Sequence, residues 1–178
     1  MTMSDIKRVT DLARVSPPDD VTEPVNGPRE DATVDYELGI QSPMLMRLHD
    51  LWRRKHHDGD LPGRSDFDPV EMKDCLGHIF ILEYVPDIDN FRYTLIGTKM
   101  VTWLGVDNTG KLVDEIFDDR MRLFYKGLQE RKVPVRTIGP VAWRGKEYVS
   151  YELVVLPLSE DKRIVNRFIG AMEFHMSC

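Results

Sequence analysis

Four closely spaced side chains, those of His56, His57, Asp58 and Asp60, are of the types that bind metals. A metal site on a helix needs ligands one turn apart, whereas adjacent histidines at a helix end point in different directions. The cations of residues 53–56 suit the last turn of a helix, where positive charge interacts favourably with the helix dipole. We therefore expect a helix end here and no metal site.

A second group of side chains, Asp114, Glu115, Asp118 and Asp119, contains the carboxylates that general acid–base catalysis uses. These residues flank the predicted start of a helix, where carboxylates accept hydrogen bonds from free N–H groups. The sequence has no P-loop, no G-x-S-x-G motif and no spaced Cys/His quartet. We interpret the acidic group as helix caps and predict that the chain is not an enzyme.

The composition narrows the class of protein further. The chain has 178 residues, is 42% hydrophobic and carries a net charge of -6, which is typical of a globular domain and argues against nucleic acid as a partner. No apolar run is long enough to span a membrane. The two cysteines, Cys75 and Cys178, are expected to be reduced, so we predict a cytoplasmic protein that binds no membrane.

Residues 1–40 differ in composition from the rest of the chain. They carry nine acidic and four basic side chains, so five of the six net negative charges lie there, and the prolines fall between residues 17 and 28. A thin apolar stripe in residues 4–15 is compatible with a short helix. We predict that 1–40 is an acidic, proline-containing arm, largely disordered, and that 41–178 is the folded domain.

Helix signals are clear at several places in the domain. Ser42 as N-cap and Pro43 at the first helical position predict a helix that stops before Gly59. Asp68 and Pro69 predict a second helix that ends at Gly77. The apolar spacing predicts a short helix within 97–105 and a longer one over 118–130.

Alternating or continuous apolar residues predict five strands. Their bounds are His78–Val85, Phe91–Ile96, Val133–Trp143, Tyr148–Leu158 and Ile164–His175. Turn residues between the members of each hairpin, including Arg144–Lys146, indicate antiparallel pairing. We predict an α+β fold with a five-stranded antiparallel sheet, short helices on one face, and an extra N-terminal amphipathic helix on the other face or extending away.

The N-terminal helix has one apolar face that must be covered. Its members are Met44, Leu45, Leu48, Leu51 and Trp52. Either a second copy of the chain or the outer face of the sheet can cover them. We predict that these five residues form a homodimer interface.

Several segments, taken in order, resemble the stand-alone bacterial PAS-domain proteins. They are LPGRSDFDPVEMKDCLGHIFILEYV, FRYTLIGTKMVTWLGVDNTGKLVDEIF, LVVLPLSED and the closing FIGAMEF, within residues 42–174. The second segment includes a G-x-x-x-T-G-K loop that begins at Gly105. The resemblance implies a cytoplasmic sensory or regulatory module that folds around a small pocket, dimerises through its N-terminal helix and signals to a protein partner.

By this analogy the pocket lies between the sheet and the helices of residues 98–130. The residues implied as ligand-binding are Tyr93, Leu95, Met100, Leu104, Phe124, Leu128, Tyr151, Leu153 and Phe168. A haem-binding member would need a histidine on the long helix, which has none, and a photoactive flavin member would need a cysteine in an Asn-Cys-Arg motif, which Cys75 lacks. No cofactor is therefore assigned.

Three functions remain open at this stage. The first is a non-enzymatic sensor in which a small-molecule ligand or a protein partner biases the helices and the dimer. The second is an interaction scaffold whose core is filled by its own side chains. The third is a small α+β enzyme.

Overall fold

The sheet is antiparallel throughout and carries helices on both faces. The protein is described here by a computed structural model that covers residues 7–8, 32–141 and 149–176. The strands are β1 (Lys7–Arg8), β2 (Thr33–Asp35), β3 (Ile79–Val85), β4 (Asn90–Ile96), β5 (Val135–Pro140), β6 (Val149–Leu158) and β7 (Arg167–Met176). Their order in the sheet is β1-β2-β5-β6-β7-β3-β4. The α+β class and the antiparallel sheet predicted from the sequence are confirmed.

All five predicted strands are present as β3 to β7, and the described part of the chain adds two further strands to the sheet. The added strand β2 pairs with β5, so the sheet extends into the segment assigned to the arm. Only Val34 of β2 is fully buried, and one apolar residue between two polar ones is too short a pattern to predict a strand. Residues 1–6 and 9–31, like the turn at Arg144–Lys146, lie outside the described residues, so the disorder of the arm stays a prediction.

The short strand β1 also differs from the sequence expectation. Residues 4–15 were expected to be compatible with a helix, but Lys7–Arg8 pairs antiparallel with Val34 and Thr33 of β2. The two-residue strand forms the outer edge of the sheet. A strand partner therefore takes the place of a helix at these two residues.

Helix α1 (Pro43–Lys55) begins where the sequence predicts. The Ser42 hydroxyl accepts a hydrogen bond from the backbone N–H of Leu45 at 3.2 Å, and Pro43 occupies the first helical position. The helix ends at Lys55, where the backbone leaves the helical conformation at His56. Its buried face packs against β6 and β7.

Helices α2 (Thr98–Leu104) and α3 (Asp119–Arg131) lie on the other face of the sheet. Gly105 ends α2 with a positive φ of 79°, which glycine adopts without steric cost. Asp118 caps α3 by accepting a hydrogen bond from the backbone N–H of Arg120 at 3.1 Å. A turn of 3₁₀ helix, Val113–Glu115, joins the two helices.

The helix predicted from Pro69 to Gly77 is wrong. Residues 69–75 form a succession of turns, followed by a 3₁₀ turn at Leu76–His78. The backbone N–H groups of Glu71 and Met72 donate to carbonyls three residues back, as in turns, instead of four. Met72 and Cys75, which are both buried, stand three residues apart, a spacing that suits this tighter winding.

A β-bulge interrupts the pairing of β3 with β4. Ile81 pairs with Leu95 whereas Leu82 pairs with Tyr93, so Thr94 is the extra residue. An extra residue changes the side of the sheet on which the following side chains lie. Consequently Tyr93 and Ile96 share a face, and Leu95 lies on the opposite one.

Candidate functional site

A largely enclosed cavity of about 40 Å³ lies between the sheet and the layer formed by α2 and α3. Strands β3, β4, β6 and β7 form its floor. Its lining consists of Phe80, Tyr93, Ile96, Met100, Leu104, Asn108, Ile116, Phe117, Met121, Tyr125, Tyr151, Leu153 and Met172. No described lining residue carries a formal charge at neutral pH, so the site is a small apolar chamber with a few polar groups.

The floor of the cavity depends on a glycine in β7. The ring of Phe80 lies against the backbone at Gly170, where a Cβ atom would overlap that ring. Phe80 in turn packs edge-on against Tyr93, with ring centroids 5.8 Å apart. The missing side chain at position 170 therefore lets Phe80 lie over β7 and define the floor.

Two tyrosine hydroxyls in the cavity influence each other's pKa. Burial raises the pKa of Tyr93 to about 12, although its polar interaction with the Tyr125 side chain acts in the opposite direction. Burial also raises the pKa of Tyr125 well above its usual 10, and the neighbouring Tyr93 and Tyr151 add to this effect. Both phenols are therefore neutral at physiological pH and act as hydrogen-bonding groups rather than as charges.

Asn108 is the one amide among the described lining residues, and it is only 5% exposed. Its backbone carbonyl accepts a hydrogen bond from Lys111 N–H at 3.1 Å. No hydrogen bond between described residues uses its side-chain amide, and the amide nitrogen and oxygen are not fully enclosed by protein atoms. The amide has one carbonyl acceptor and two N–H donors available to the cavity.

The loop that carries Asn108 also covers the free edge of β4. Gly110 N–H donates to the carbonyl of Tyr93 at 2.7 Å, and Tyr93 N–H donates to the carbonyl of Lys111 at 3.0 Å. The backbone of Tyr93 is thus bonded to this loop while its ring lines the cavity. Tyr93 therefore belongs both to the cavity lining and to the backbone pairing that covers the edge of β4.

Five of the nine residues predicted to bind a ligand line the cavity. They are Tyr93, Met100, Leu104, Tyr151 and Leu153. The structure therefore brings together the residues chosen from β4, α2 and β6. Whether they bind a ligand stays a prediction.

The other four predicted residues do not line the cavity. Leu95 is turned to the opposite face by the bulge at Thr94. Phe168 packs against Phe91 and Tyr125, with centroids 5.8 Å from each, in an aromatic cluster beside the cavity. Phe124 and Leu128 are buried in the core, at 3% and 1% exposure. These four positions are corrections to the predicted lining.

The sequence did not identify eight of the lining residues: Phe80, Ile96, Asn108, Ile116, Phe117, Met121, Tyr125 and Met172. Met121 and Tyr125 lie four residues apart on the apolar stripe of α3, so helical spacing is a signal that would have included them. Asn108 had no such signal, because the run Asp107–Gly110 is typical of an exposed turn.

The apolar face of α1 is covered within a single chain. All five residues predicted as a homodimer interface are at most 7% exposed, and the helix packs on β6 and β7. Trp52 also donates its indole N–H to the carbonyl of Pro157 at 2.8 Å. The assignment of Met44, Leu45, Leu48, Leu51 and Trp52 to an interface is therefore corrected: the sheet, the second of the two covers considered above, buries this face.

A buried ion-pair network holds the start of α1 on the sheet. Arg136 Nε lies 2.6 Å from Glu152 Oε1, and its Nη1 lies 3.3 Å from Asp35 Oδ2. The Glu152 carboxylate also accepts the backbone N–H groups of Gln41 and Ser42, each at 2.8 Å. Burial acts to raise the pKa of Glu152, but these hydrogen bonds and Arg136 outweigh it and lower the pKa below its ordinary 4.5.

Two members of the acidic group near the start of α3, Glu115 and Asp118, have the capping role that the sequence predicts. Asp118 is the N-cap, and Glu115 accepts the backbone N–H of Leu112 at 2.5 Å. Asp114 forms an ion pair with Arg122 at 2.9 Å. These carboxylates are thus engaged in local structure and lie away from the cavity lining.

Within residues 7–8, 32–141 and 149–176, no three His, Cys, Asp or Glu side chains are grouped as metal ligands would be. The helices in those ranges include none with the length and hydropathy needed to cross a bilayer.

The cavity does not fit a flavin or a haem. Pockets for ligands of that size have volumes on the order of 300–1,000 Å³, whereas this one has about 40 Å³. The described lining contains neither a histidine nor a cysteine, and Cys75 lies by α1 on the other side of the sheet. No step of the function is therefore derived through either group.

Comparison with known proteins gives one family match. A family model described as "PAS domain" matches residues 40–173, well over half of the chain. No curated protein matches.

Several solved structures are similar to the chain, each at 14% identity. One is the light state of the blue-light photoreceptor Aureochrome1 LOV, with a TM-score of 0.35 over 57% of this chain and 84% of that one. An RNA-binding Light-Oxygen-Voltage receptor has a TM-score of 0.42 over 80% of this chain and 38% of that one. A Light-Oxygen-Voltage domain studied with a flavin analogue has a TM-score of 0.40 over 64% and 88%.

Proposed function

Since this chain belongs to the PAS domain family, we propose that it is a non-enzymatic regulatory module that binds a small molecule in the cavity and signals to another protein. The observation that carries the proposal is the side-chain amide of Asn108, a residue that lines an apolar cavity, is only 5% exposed and has no side-chain hydrogen bond to another described residue. Polar side chains in the interior usually have partners, so an amide that lines the cavity without one favours a ligand that uses it.

The route of the signal follows from the loop over β4. A ligand that bonds to Asn108 and contacts Tyr93 touches the loop and the strand that this loop covers. Occupancy then favours the state in which Gly110 and Lys111 remain bonded to the edge of β4, and release of the ligand favours exposure of that edge. An exposed edge strand offers unpaired backbone groups to the protein that receives the signal.

Native mass spectrometry of the full chain, purified from its own source without denaturant, tests the proposal. We expect a population heavier than the 20.7 kDa polypeptide by the mass of a small molecule. The added mass should disappear after the protein is unfolded and refolded. If the chain carries only its polypeptide mass in every preparation, the ligand proposal is contradicted.

The second candidate function is an interaction scaffold that binds no ligand. The small volume of the cavity, about 40 Å³, favours it, because a core with so little free space is close to fully packed. Hydrogen exchange of the amides of residues 105–112 separates the two candidates. A scaffold shows the same exchange rates before and after unfolding and refolding, whereas loss of a ligand accelerates exchange in this loop.

The homodimer expected from the resemblance stays a prediction, as does location in the cytoplasm. Because the sheet covers the apolar face of α1, a dimer must use another surface. Light scattering tests it: a dimer has twice the mass of the 20.7 kDa chain.

A further inference from the structure

The size of the cavity restricts the ligand. One water molecule needs roughly 10–15 Å³ of cavity measured in this way, so about 40 Å³ has room for approximately three. That space suits a molecule of about four non-hydrogen atoms. Movement of the methionine side chains in the lining can enlarge the space somewhat, since methionine has three rotatable bonds.

The charge of the lining restricts it further. The described lining has no Lys, Arg, His, Asp or Glu to compensate an ionic ligand. Moving an unpaired ion from water into such surroundings is strongly unfavourable. Tyr93 and Tyr125 do not provide a charge either, because both pKa values lie well above neutral pH.

The hydrogen-bonding groups define the third restriction. Tyr93 and Tyr125 both line the cavity, and each phenol hydroxyl can donate and accept a hydrogen bond. The Asn108 amide offers both a donor and an acceptor. A ligand with one polar group at one end and hydrocarbon at the other matches these polar residues and the apolar remainder of the lining.

We propose that the cavity selects a small uncharged molecule with one hydrogen-bonding group, and that the side-chain amide of Asn108 is its main specificity determinant. This inference rests on the proposed function, since it names the class of ligand for the same site. It excludes carboxylates, ammonium ions and large chromophores as ligands of this chamber.

Three probes of similar small size test the proposal on the full chain. Acetamide is uncharged and can pair with an amide, acetate has nearly the same shape but carries a negative charge, and xenon is apolar. A ligand of four atoms binds no more tightly than about 40 µM even in the best case, so titrations should extend to tens of millimolar.

The methionine methyl groups report where each probe binds. With ¹³C-methyl methionine, the NMR signals of Met100, Met121 and Met172 report on the cavity. Met46 and Met176, which are 39% and 67% exposed, serve as controls outside it. We expect acetamide to shift the three cavity signals in a saturable way and acetate to bind at least tenfold more weakly.

Variants identify the hydrogen-bonding groups. Asn108→Leu keeps the volume but removes the amide, so acetamide affinity should fall about tenfold or more while xenon still binds. Tyr125→Phe should weaken acetamide several-fold. Tyr84→Phe is the matched control, because the Tyr84 hydroxyl bonds to Asp89 and Lys126 outside the cavity, and it should leave acetamide affinity unchanged.

If acetate binds as tightly as acetamide, or Asn108→Leu leaves acetamide affinity unchanged, this inference is overturned and the cavity remains a ligand site of another class. If neither acetamide nor xenon shifts the cavity methionines of the wild-type chain, the inference and the proposed ligand function both fail.

Discussion

Replacing Asn108 with leucine should make the protein more stable. Asn108 and Asn90 are equally buried, at 5% exposure, but only Asn90 uses its side chain in a hydrogen bond between described residues, accepting the N–H of Phe91 at 2.8 Å. A fully buried polar group without a partner destabilises the native state by about 1–3 kcal/mol, which is an upper bound for Asn108 because its amide atoms keep some accessible surface. Leucine has a similar volume and no polar atom, so Asn108→Leu should raise the free energy of unfolding of the ligand-free chain by up to about that amount.

The matched variant Asn90→Leu should have the opposite effect. It removes the acceptor of the Phe91 N–H and leaves a buried donor without that partner, which lowers the free energy of unfolding by about 1–3 kcal/mol. The two variants make the same chemical change at the same burial. Their difference in stability therefore isolates the presence or absence of a partner.

Urea denaturation of refolded, ligand-free protein, followed by circular dichroism, gives the two free energies. For a chain of this length, each 1 kcal/mol corresponds to a change of about 2–4 °C in Tm, so thermal melts provide a second measurement. If Asn108→Leu lowers stability as much as Asn90→Leu does, the amide of Asn108 has a partner in the folded chain. A role of this amide in ligand binding would then be refuted.

Three other properties of the fold can be tested in the same assays. Glu152→Gln should lower the free energy of unfolding by about 1.5–3 kcal/mol at pH 7. Because the folded state lowers the pKa of Glu152 below 4.5, this contribution is complete above about pH 4.5 and is lost as the pH falls through the lower folded value. A difference in stability between wild type and variant that grows on acidification would contradict the network. Gly170→Ala should lower stability by about 1–3 kcal/mol because its methyl group overlaps the ring of Phe80, and an unchanged urea midpoint would show that this ring moves aside. Removal of residues 1–36, which takes away β2 and its buried valine, should lower Tm by about 3–12 °C relative to removal of residues 1–31, and equal Tm values would show that β2 adds nothing to stability.

Long apolar patterns made most of the fold predictable. The strands β3 to β7 each contain at least one run of alternating or continuous apolar residues, and all were found in the sequence. Ser42 with Pro43, and Asp118 before the next apolar stripe, marked the starts of α1 and α3 because capping depends on residues adjacent in sequence. Sequence patterns were sufficient to predict those helices and strands whose formation depends on residues close together in the chain.

The misses have a common physical origin, which is dependence on distant residues. Val34 belongs to a strand because β5 presents an edge to it, and no pattern in three residues shows this. Thr94 bulges within the pairing of β3 with β4, so the alternation that placed Leu95 beside Tyr93 fails. The apolar face of α1 could be identified in the sequence, but the strands that cover it, β6 and β7, lie more than 90 residues further along the chain. Tertiary context decided each of these cases.

The most direct test of the central claim is a crystal structure, at a resolution that shows individual atoms, of the full chain purified from its own source. The account predicts electron density for a compact, uncharged molecule in the cavity, within hydrogen-bonding distance of the Asn108 amide and beside Tyr125. A cavity that contains no such density, with the Asn108 amide bonded instead to another protein group, would contradict it.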